Sequence, residues 1–510
     1  MSSKKSTSAA VLALVLVIAG TLIWSGCGSS SSASDRQLDG SGNPGVDLAN
    51  TREVGGPIDS SNVAELAVAW TLPLTGRSTY GSYASTPIIS KGVVYSQDLA
   101  SNVQAIDLES GDVIWSKRYE SPSHGPNGLV VAEGLVFGNT ADFAFALDQE
   151  TGKEVWTTPL VRNGQESIDM APGFHDGLLY VSTVPVTVSE TYGAGSVGVL
   201  WALDGKTGKK KWHFDTVPQS LWGDPKVNSG GGLWYQPSFD GKGSMYFGTG
   251  NPGPLPGSPG KPWGSSRPGS NLYADSMVKL DEKTGKLQWY YQHTPHNIYD
   301  WDFQDPPVLT NVGGKEMAIG AGKSGVVVAV DAKTGKPVWS RPVGTHNGHD
   351  NDSLYAMRGE YSKLKTGEVF PGQLGGVIAP MAADKTSVFV PVVNHSMVLV
   401  SGTEVTENSA ATGELVAVNK ATGAVEWAKK LPAPAYGAPL VVNDLVFETT
   451  SEGVVHAFET KSGGEVWQGA LPAGTNAGVM VSGDTLIAPA GLPLAEGQVA
   501  ELVAYRLGGE

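Results

Sequence analysis

The sequence predicts an all-β protein, a propeller of eight four-stranded blades, and three observations carry that prediction. Glycine is abundant, 67 of 510 residues, with 32 prolines beside it. Such usage suits many tight turns between short strands. One phrase of strand, turn and strand returns seven times along the chain. Two halves of an eighth copy stand at opposite ends.

The phrases are "QAIDLESGDVIW" ending at Trp115, "FALDQETGKEVW" at Trp156, "WALDGKTGKKKW" at Trp212, "VKLDEKTGKLQW" at Trp289, "VAVDAKTGKPVW" at Trp339, "VAVNKATGAVEW" at Trp427 and "HAFETKSGGEVW" at Trp467. In each, the carboxylate or amide can hold turn N–H groups, and the glycine can take a positive φ. The tryptophan is a large apolar plate for the small residues of the next repeat. A further β-type run precedes each phrase ("GVVYSQ", "GLVFGN", "DLVFETT"), which makes each repeat a four-stranded unit of the kind that forms a propeller blade. Trp70 closes "LAVAW" without a first half, and "ELVAYRL" near the C-terminus is a first half without a tryptophan. Residues near 66–70 and 501–507 are therefore expected to share one blade and close the ring, giving a propeller over 54–510. Two steps between tryptophans are long, 77 residues before Trp289 and 88 before Trp427. The extra residues are expected as loops on one face, where function concentrates.

The ends and the charge narrow the function classes. A net charge of −15 argues against nucleic acid, whose phosphates need a basic surface. Lys4 and Lys5 precede an apolar run, Ala9 to Trp24, and then "WSGC" with the only cysteine, Cys27. Residues 1–27 therefore read as an export signal. Gly26-Cys27 resembles a bacterial lipobox, in which Cys27 would carry lipid; Trp24 departs from the usual aliphatic residue. A plain secretory signal or an uncleaved anchor fits the same run. Every version puts the bulk of the chain outside the cytoplasm, and the lipoprotein version ties it to a membrane. Residues 28–53 read as a flexible Ser/Gly-rich tether. One cysteine excludes an internal disulfide, and no CxxCH is present for a c-type haem.

Residues 293–309, "HTPHNIYDWDFQDPPVL", break the repeat by placing three carboxylates, Asp300, Asp302 and Asp305, within six positions. The repeat resembles the quinoprotein alcohol dehydrogenase-like propellers. These include dehydrogenases that use pyrroloquinoline quinone (PQQ) and also non-enzymatic assembly scaffolds. The resemblance covers residues 54 to 507. "GTGNPGP" (248–254) looks like the family's metal-binding turn and implies Asn251 as an oxygen ligand. "HNIYDWDFQDPPVL" is similar to a segment whose carboxylate at Asp300 is metal ligand and catalytic base. Its Asp302 matches a carboxylate of lanthanide-dependent members. "GGGLWYQPSFD" implies Trp234 as the plate under the quinone, and "GKSGVVVAVD" implies Lys323 as a cation beside the quinone oxygens. Such residue types suit the chemistry: a carboxylate as general base, oxygen donors for a hard cation, and an indole and a lysine for a planar anion.

The sequence also departs from the family. A metal-binding glutamate is matched by Gly193 and Ala194, with Glu190 close by. An acidic residue of the first blade is matched by Ala84, an arginine of the second by Asn127, and an Asn-Trp pair by Val377 and Ile378. The vicinal disulfide is absent, and Asp305 has no assigned role. Plain structural roles stand beside the functional ones: turn capping for Asp300, Asp302 and Asn251, blade packing for Trp234, a solvated charge for Lys323. The resemblance implies a PQQ-dependent dehydrogenase of an alcohol, aldehyde or sugar, holding a lanthanide or calcium ion, with lanthanide preferred because Asp302 adds charge. It would pass electrons to a separate acceptor such as a cytochrome. The alternative is a non-catalytic propeller lipoprotein that acts as a binding or assembly scaffold.

Overall fold

A computed structural model describes residues 42–162, 164–188, 191–217 and 220–509. Cys27, the rest of the expected export signal, the first part of the expected tether and Glu190 lie outside the described residues. Among those described, the strands form eight sheets of four or five strands, apart from a few two-stranded pairs. One sheet runs Ile88–Ser90, Val93–Gln97, Val103–Asp107, Val113–Lys117 in chain order, each strand antiparallel to the next. First strands of adjacent sheets touch, which brings the sheets together at one side. Leu66–Pro73 pairs with Glu501–Leu507, Trp70 opposite Ala504, so both ends of the chain contribute to one sheet.

The repeated phrase has one local structure. At "LDQETGKEVW", Asp148 Oδ1 accepts hydrogen bonds from the Thr151 N–H at 2.9 Å and hydroxyl at 2.6 Å, and Gly152 has φ +66°. A side chain at Gly152 would come within 2.5 Å of the Trp115 ring, so that indole lies on the glycine of the next repeat. Its N–H donates to the Gln149 carbonyl at 3.1 Å. The same bond joins Trp70 to Leu108, Trp156 to Gly205, Trp212 to Glu282, Trp289 to Ala332, Trp339 to Lys420 and Trp427 to Thr460. Each of these seven tryptophans thus covers part of its ring and satisfies its one polar atom in the following repeat.

The tether reading fails over residues 42–53. The backbone of this segment receives hydrogen bonds from Val131 (to Gly42), Phe239 (to Leu48), Leu309 (to Ala49), Ala383 (to Thr51) and Val441 (to Arg52), at 2.7–2.9 Å. Glu53–Val54 then pairs in parallel with Leu440–Val442. The segment crosses the first strands of five sheets and pairs N–H groups that would otherwise be orphaned. Composition spoke for a flexible chain; unpaired sheet edges decided otherwise. Among the described residues no helix is long and apolar enough to cross a membrane.

Candidate functional site

Aromatic and acidic residues alternate along "YDWD" and go to different places. Tyr299 and Trp301 are buried, their rings edge to face at 4.9 Å, in a cluster with Ile298, Ala356, Met397 and Leu399. The Trp301 N–H donates to the Pro371 carbonyl at 3.1 Å, and the Tyr299 hydroxyl donates to Asp352. Asp352 begins the helix Asp352–Met357, inside the longest interval between tryptophans. The inserted residues therefore clamp the segment that carries the carboxylates.

Asp300 and Asp302 both turn to Lys323. The ammonium lies 2.8 Å from Asp300 Oδ2 and 2.6 Å from Asp302 Oδ2, with all three side chains largely buried. Asp302 Oδ1 accepts the Asn251 backbone N–H at 2.7 Å. The pair does not share one side of an extended strand. Asp300 has φ +59°, a left-handed conformation that L residues rarely adopt. Oδ1 of Asp300 is buried without a hydrogen-bond partner. Burial pushes the Asp300 carboxyl up to about 6, against the opposing pull of Lys323 and with the Asp302 charge adding to the rise.

A cavity of about 330 Å³ adjoins this cluster, lined by Trp234, Tyr235, Asp302, Gln304, Lys323, Ile378 and Tyr436 among others, and its walls are mostly apolar. Trp234 is held as a plate: a side chain at Gly125 or Gly250 would stand 3.1 or 3.3 Å from its indole, and one at Gly250 would also stand 3.2 Å from Asp302. The Tyr235 hydroxyl donates to the Ile378 carbonyl at 3.0 Å, and Gln304 donates to Val377 and Ile378, so the positions that replace the family's Asn-Trp pair serve as backbone acceptors. Ala84 lines the cavity as a small wall residue.

The residues present fit a flat ring system, with an indole plate and a cation at one edge of a mostly apolar slot. They do not fit a metal ion. Among the described residues no three His, Cys, Asp or Glu side chains gather at a common point. The Lys323 ammonium stands between the two carboxylates where the cation was expected, and Asn251 meets Asp302 through its backbone. The residues of the expected metal set, Asn251, Asp300 and Asp302, are engaged here by protein donors instead. Lys323 lines the cavity and also pairs with both acids.

Several buried polar residues escaped sequence reading because their signal lies in distant partners. Asp275 is fully buried, accepts a bond from Asn297 at 3.0 Å and is pushed well above the usual carboxylate range by burial and then by Asp302. Asp305, which the sequence singled out without a role, is fully buried, neither oxygen has a partner, and burial alone pushes it well up. Arg267 is buried among carbonyls, and Arg52 comes from the segment read as tether.

Two family models match the chain: a glucose/ethanol/alcohol dehydrogenase β-propeller domain over residues 181–344, and outer membrane protein assembly factor BamB over 100–242 and 379–508. The chain belongs to the quinoprotein alcohol dehydrogenase-like β-propeller family. Within this family, a quinohemoprotein alcohol dehydrogenase of Comamonas testosteroni is 27% identical over 84% of this chain and 69% of its own length. A lanthanide-dependent methanol dehydrogenase of Methylorubrum extorquens is 27% identical over 89% of this chain and 87% of its own. The solved structure of the Comamonas testosteroni quinohemoprotein alcohol dehydrogenase superposes with a TM-score of 0.78 at 23% identity, over 94% of this chain and 82% of that one.

Proposed function

We propose that the protein is a quinoprotein dehydrogenase that uses PQQ to oxidise an alcohol, aldehyde or sugar. The observation that carries the proposal is the Asp300–Lys323–Asp302 cluster beside a flat-floored cavity. The names of the relatives support the reaction class. Asp300 is the base. Lys323 engages Oδ2 and leaves Oδ1 without a partner, so Oδ1 receives the substrate hydroxyl proton. A carboxyl near 6 is largely ionised at neutral pH yet basic enough to take that proton. Bound PQQ supplies the two-electron acceptor. Lys323 holds both carboxylates in place and brings to the cavity edge the positive charge that a metal ion brings elsewhere in the family. The apolar walls exclude water and strengthen these charges.

The eight sheets are, on this reading, eight blades locked by tryptophan and closed by the shared sheet of the two ends. The protein works outside the cytoplasm, tethered through lipid on Cys27, and hands electrons to a separate carrier. Unmodified Cys27 in the mature wild-type protein would remove the tether. A scaffold role is favoured by one observation, the BamB match, which covers much of the chain outside the candidate site. Titrating the purified protein with PQQ, then following dye reduction with a panel of alcohols and sugars, separates the two. Saturable PQQ binding with substrate-dependent reduction supports the dehydrogenase, and no PQQ binding supports the scaffold.

A further inference from the structure

The segment that crosses the sheets carries a buried cation to the cavity. Arg52 is 1% exposed and has φ +50°. Its Nε donates to the Pro439 carbonyl at 2.7 Å and its Nη1 to Pro44 at 2.6 Å. Its Nη2 has only long bonds, 3.3 Å to the Thr86 hydroxyl and 3.4 Å to the Ala438 carbonyl. All these partners are neutral. Among the described residues no carboxylate forms an ion pair with Arg52. The nearest acid by charge, Glu448, is fully buried, forms no ion pair with the guanidinium, and is pushed well above the carboxylate range by burial. Arg52 itself is lowered to about 10 by burial and remains charged at neutral pH. A buried guanidinium without an anion is costly, and carbonyl dipoles offset only part of that cost.

Arg52 borders a chamber of about 30 Å³, together with Ala84, Asn127, Tyr235, Tyr436 and Asn476. That is about the volume of one water molecule, enough for an oxygen-sized group and too small for a ring. Ala84, Tyr235, Tyr436 and Asn476 also line the larger cavity, whereas Lys323 and Asp302 line only the larger one. The chamber is therefore the end of the cavity away from the Asp300 cluster. Ala84 and Asn127 are the positions where the sequence lacks the family's acid and arginine, and Oδ1 of Asn127 is buried without a partner. Small, neutral side chains leave the space, and the guanidinium arrives from another part of the chain.

We propose that Arg52 is the counter-ion for a carboxylate on the inner edge of the ligand. The ligand is a planar aromatic acid whose other end faces Lys323 and Asp300. The proposal rests on the cavity being the ligand site, and it deepens the PQQ reading without requiring PQQ. The ring lies on Trp234, one carboxylate oxygen enters the small chamber, and Arg52 donates to it. This makes Arg52 a specificity residue for acids over their neutral esters.

The test measures binding by calorimetry for PQQ, PQQ trimethyl ester, 2-naphthoate and methyl 2-naphthoate. Wild-type protein is expected to bind each acid at least tenfold more tightly than its ester. Arg52→Gln is expected to abolish that preference, with folding checked by thermal unfolding. Asn127→Asp, which places an anion in the chamber and keeps Arg52, is expected to weaken acid binding about tenfold and leave ester binding unchanged; it decides the matter if Arg52→Gln does not fold. Naphthoate bound through Arg52 while PQQ is refused would sustain this inference and end the PQQ reading. PQQ bound equally well by wild type and Arg52→Gln would sustain the PQQ reading and end this inference. Acids and esters bound alike by wild type, or no aromatic acid bound at all, would also overturn it.

Discussion

Asp281 and Asp300 lie close together in the chain and in opposite environments. Asp281 is a repeat residue on the surface: its carboxylate accepts the Thr284 N–H at 2.9 Å and hydroxyl at 2.6 Å, and these bonds hold its pKa below the usual value. Asp148 and Asp331 are held down in the same way. Asp300 is buried, has one oxygen unpartnered and is pushed up to about 6. Asp275 and Asp305 are also pushed well above the usual carboxylate range by burial. Where the repeat is kept, aspartate organises a turn. Where residues 293–309 break it, aspartate is stored at a cost in stability. The difference separates scaffold from chemistry within a single residue type.

The largest effect should come from the base itself. Asp300→Asn keeps the shape of the side chain and removes the proton acceptor. Turnover should fall by roughly 10²–10⁴-fold with the fold unchanged, measured by dye reduction and thermal unfolding. The wild-type rate should rise with pH through about 6, as Asp300 ionises. Undiminished turnover would put Asp300 back among the structural aspartates.

Lys323→Met comes next. It leaves two buried carboxylates facing each other without their cation, and a broken buried pair costs about 3–5 kcal/mol. Denaturant unfolding should show that loss at neutral pH. The rate profile should move to higher pH, because the charge that lowers Asp300 is gone while Asp302 remains. A stability and pH profile identical to wild type would make Lys323 a bystander.

The two kinds of aspartate should also oppose each other in the pH dependence of stability. The turn aspartates have lowered folded pKa values, so their contribution is full above the ordinary range near 4 and is lost as pH falls. Asp300 has a raised one, so its contribution is full below that range and is lost as pH rises through about 6. Unfolding curves of wild type and Asp300→Asn should therefore converge at low pH and separate above 6 in favour of the asparagine variant. Parallel curves would show that Asp300 is no more burdened than Asp281.

Within the scaffold, Gly285→Ala puts a methyl group about 2.5 Å from the Trp212 ring at φ +69°. The expected cost is about 1–3 kcal/mol in denaturant unfolding, with turnover unaffected while the protein stays folded. The smallest effect concerns metal. If Lys323 replaces the cation, removing metals with a chelator or adding lanthanum or calcium should change PQQ binding less than twofold. A large gain with lanthanum, lost in Asp302→Ala, would restore the expected metal site.

Seven returning phrases were enough to read the all-β class, the turns, and the pairing of the two chain ends. Those features rest on short-range rules: a period of two along each strand, a carboxylate that bonds the next few N–H groups, and a glycine where φ must be positive. Residues 293–309 stood out for the same reason, as a local break in a local pattern. The position of Lys323 between Asp300 and Asp302 was decided only by tertiary structure, because the three meet across different segments and the charge balance is set by burial. The packing of Gly42–Val54 across five sheets was hidden by a composition that speaks only for the isolated segment. Arg52 was hidden with it, since a guanidinium becomes a site only when the rest of the fold removes it from water.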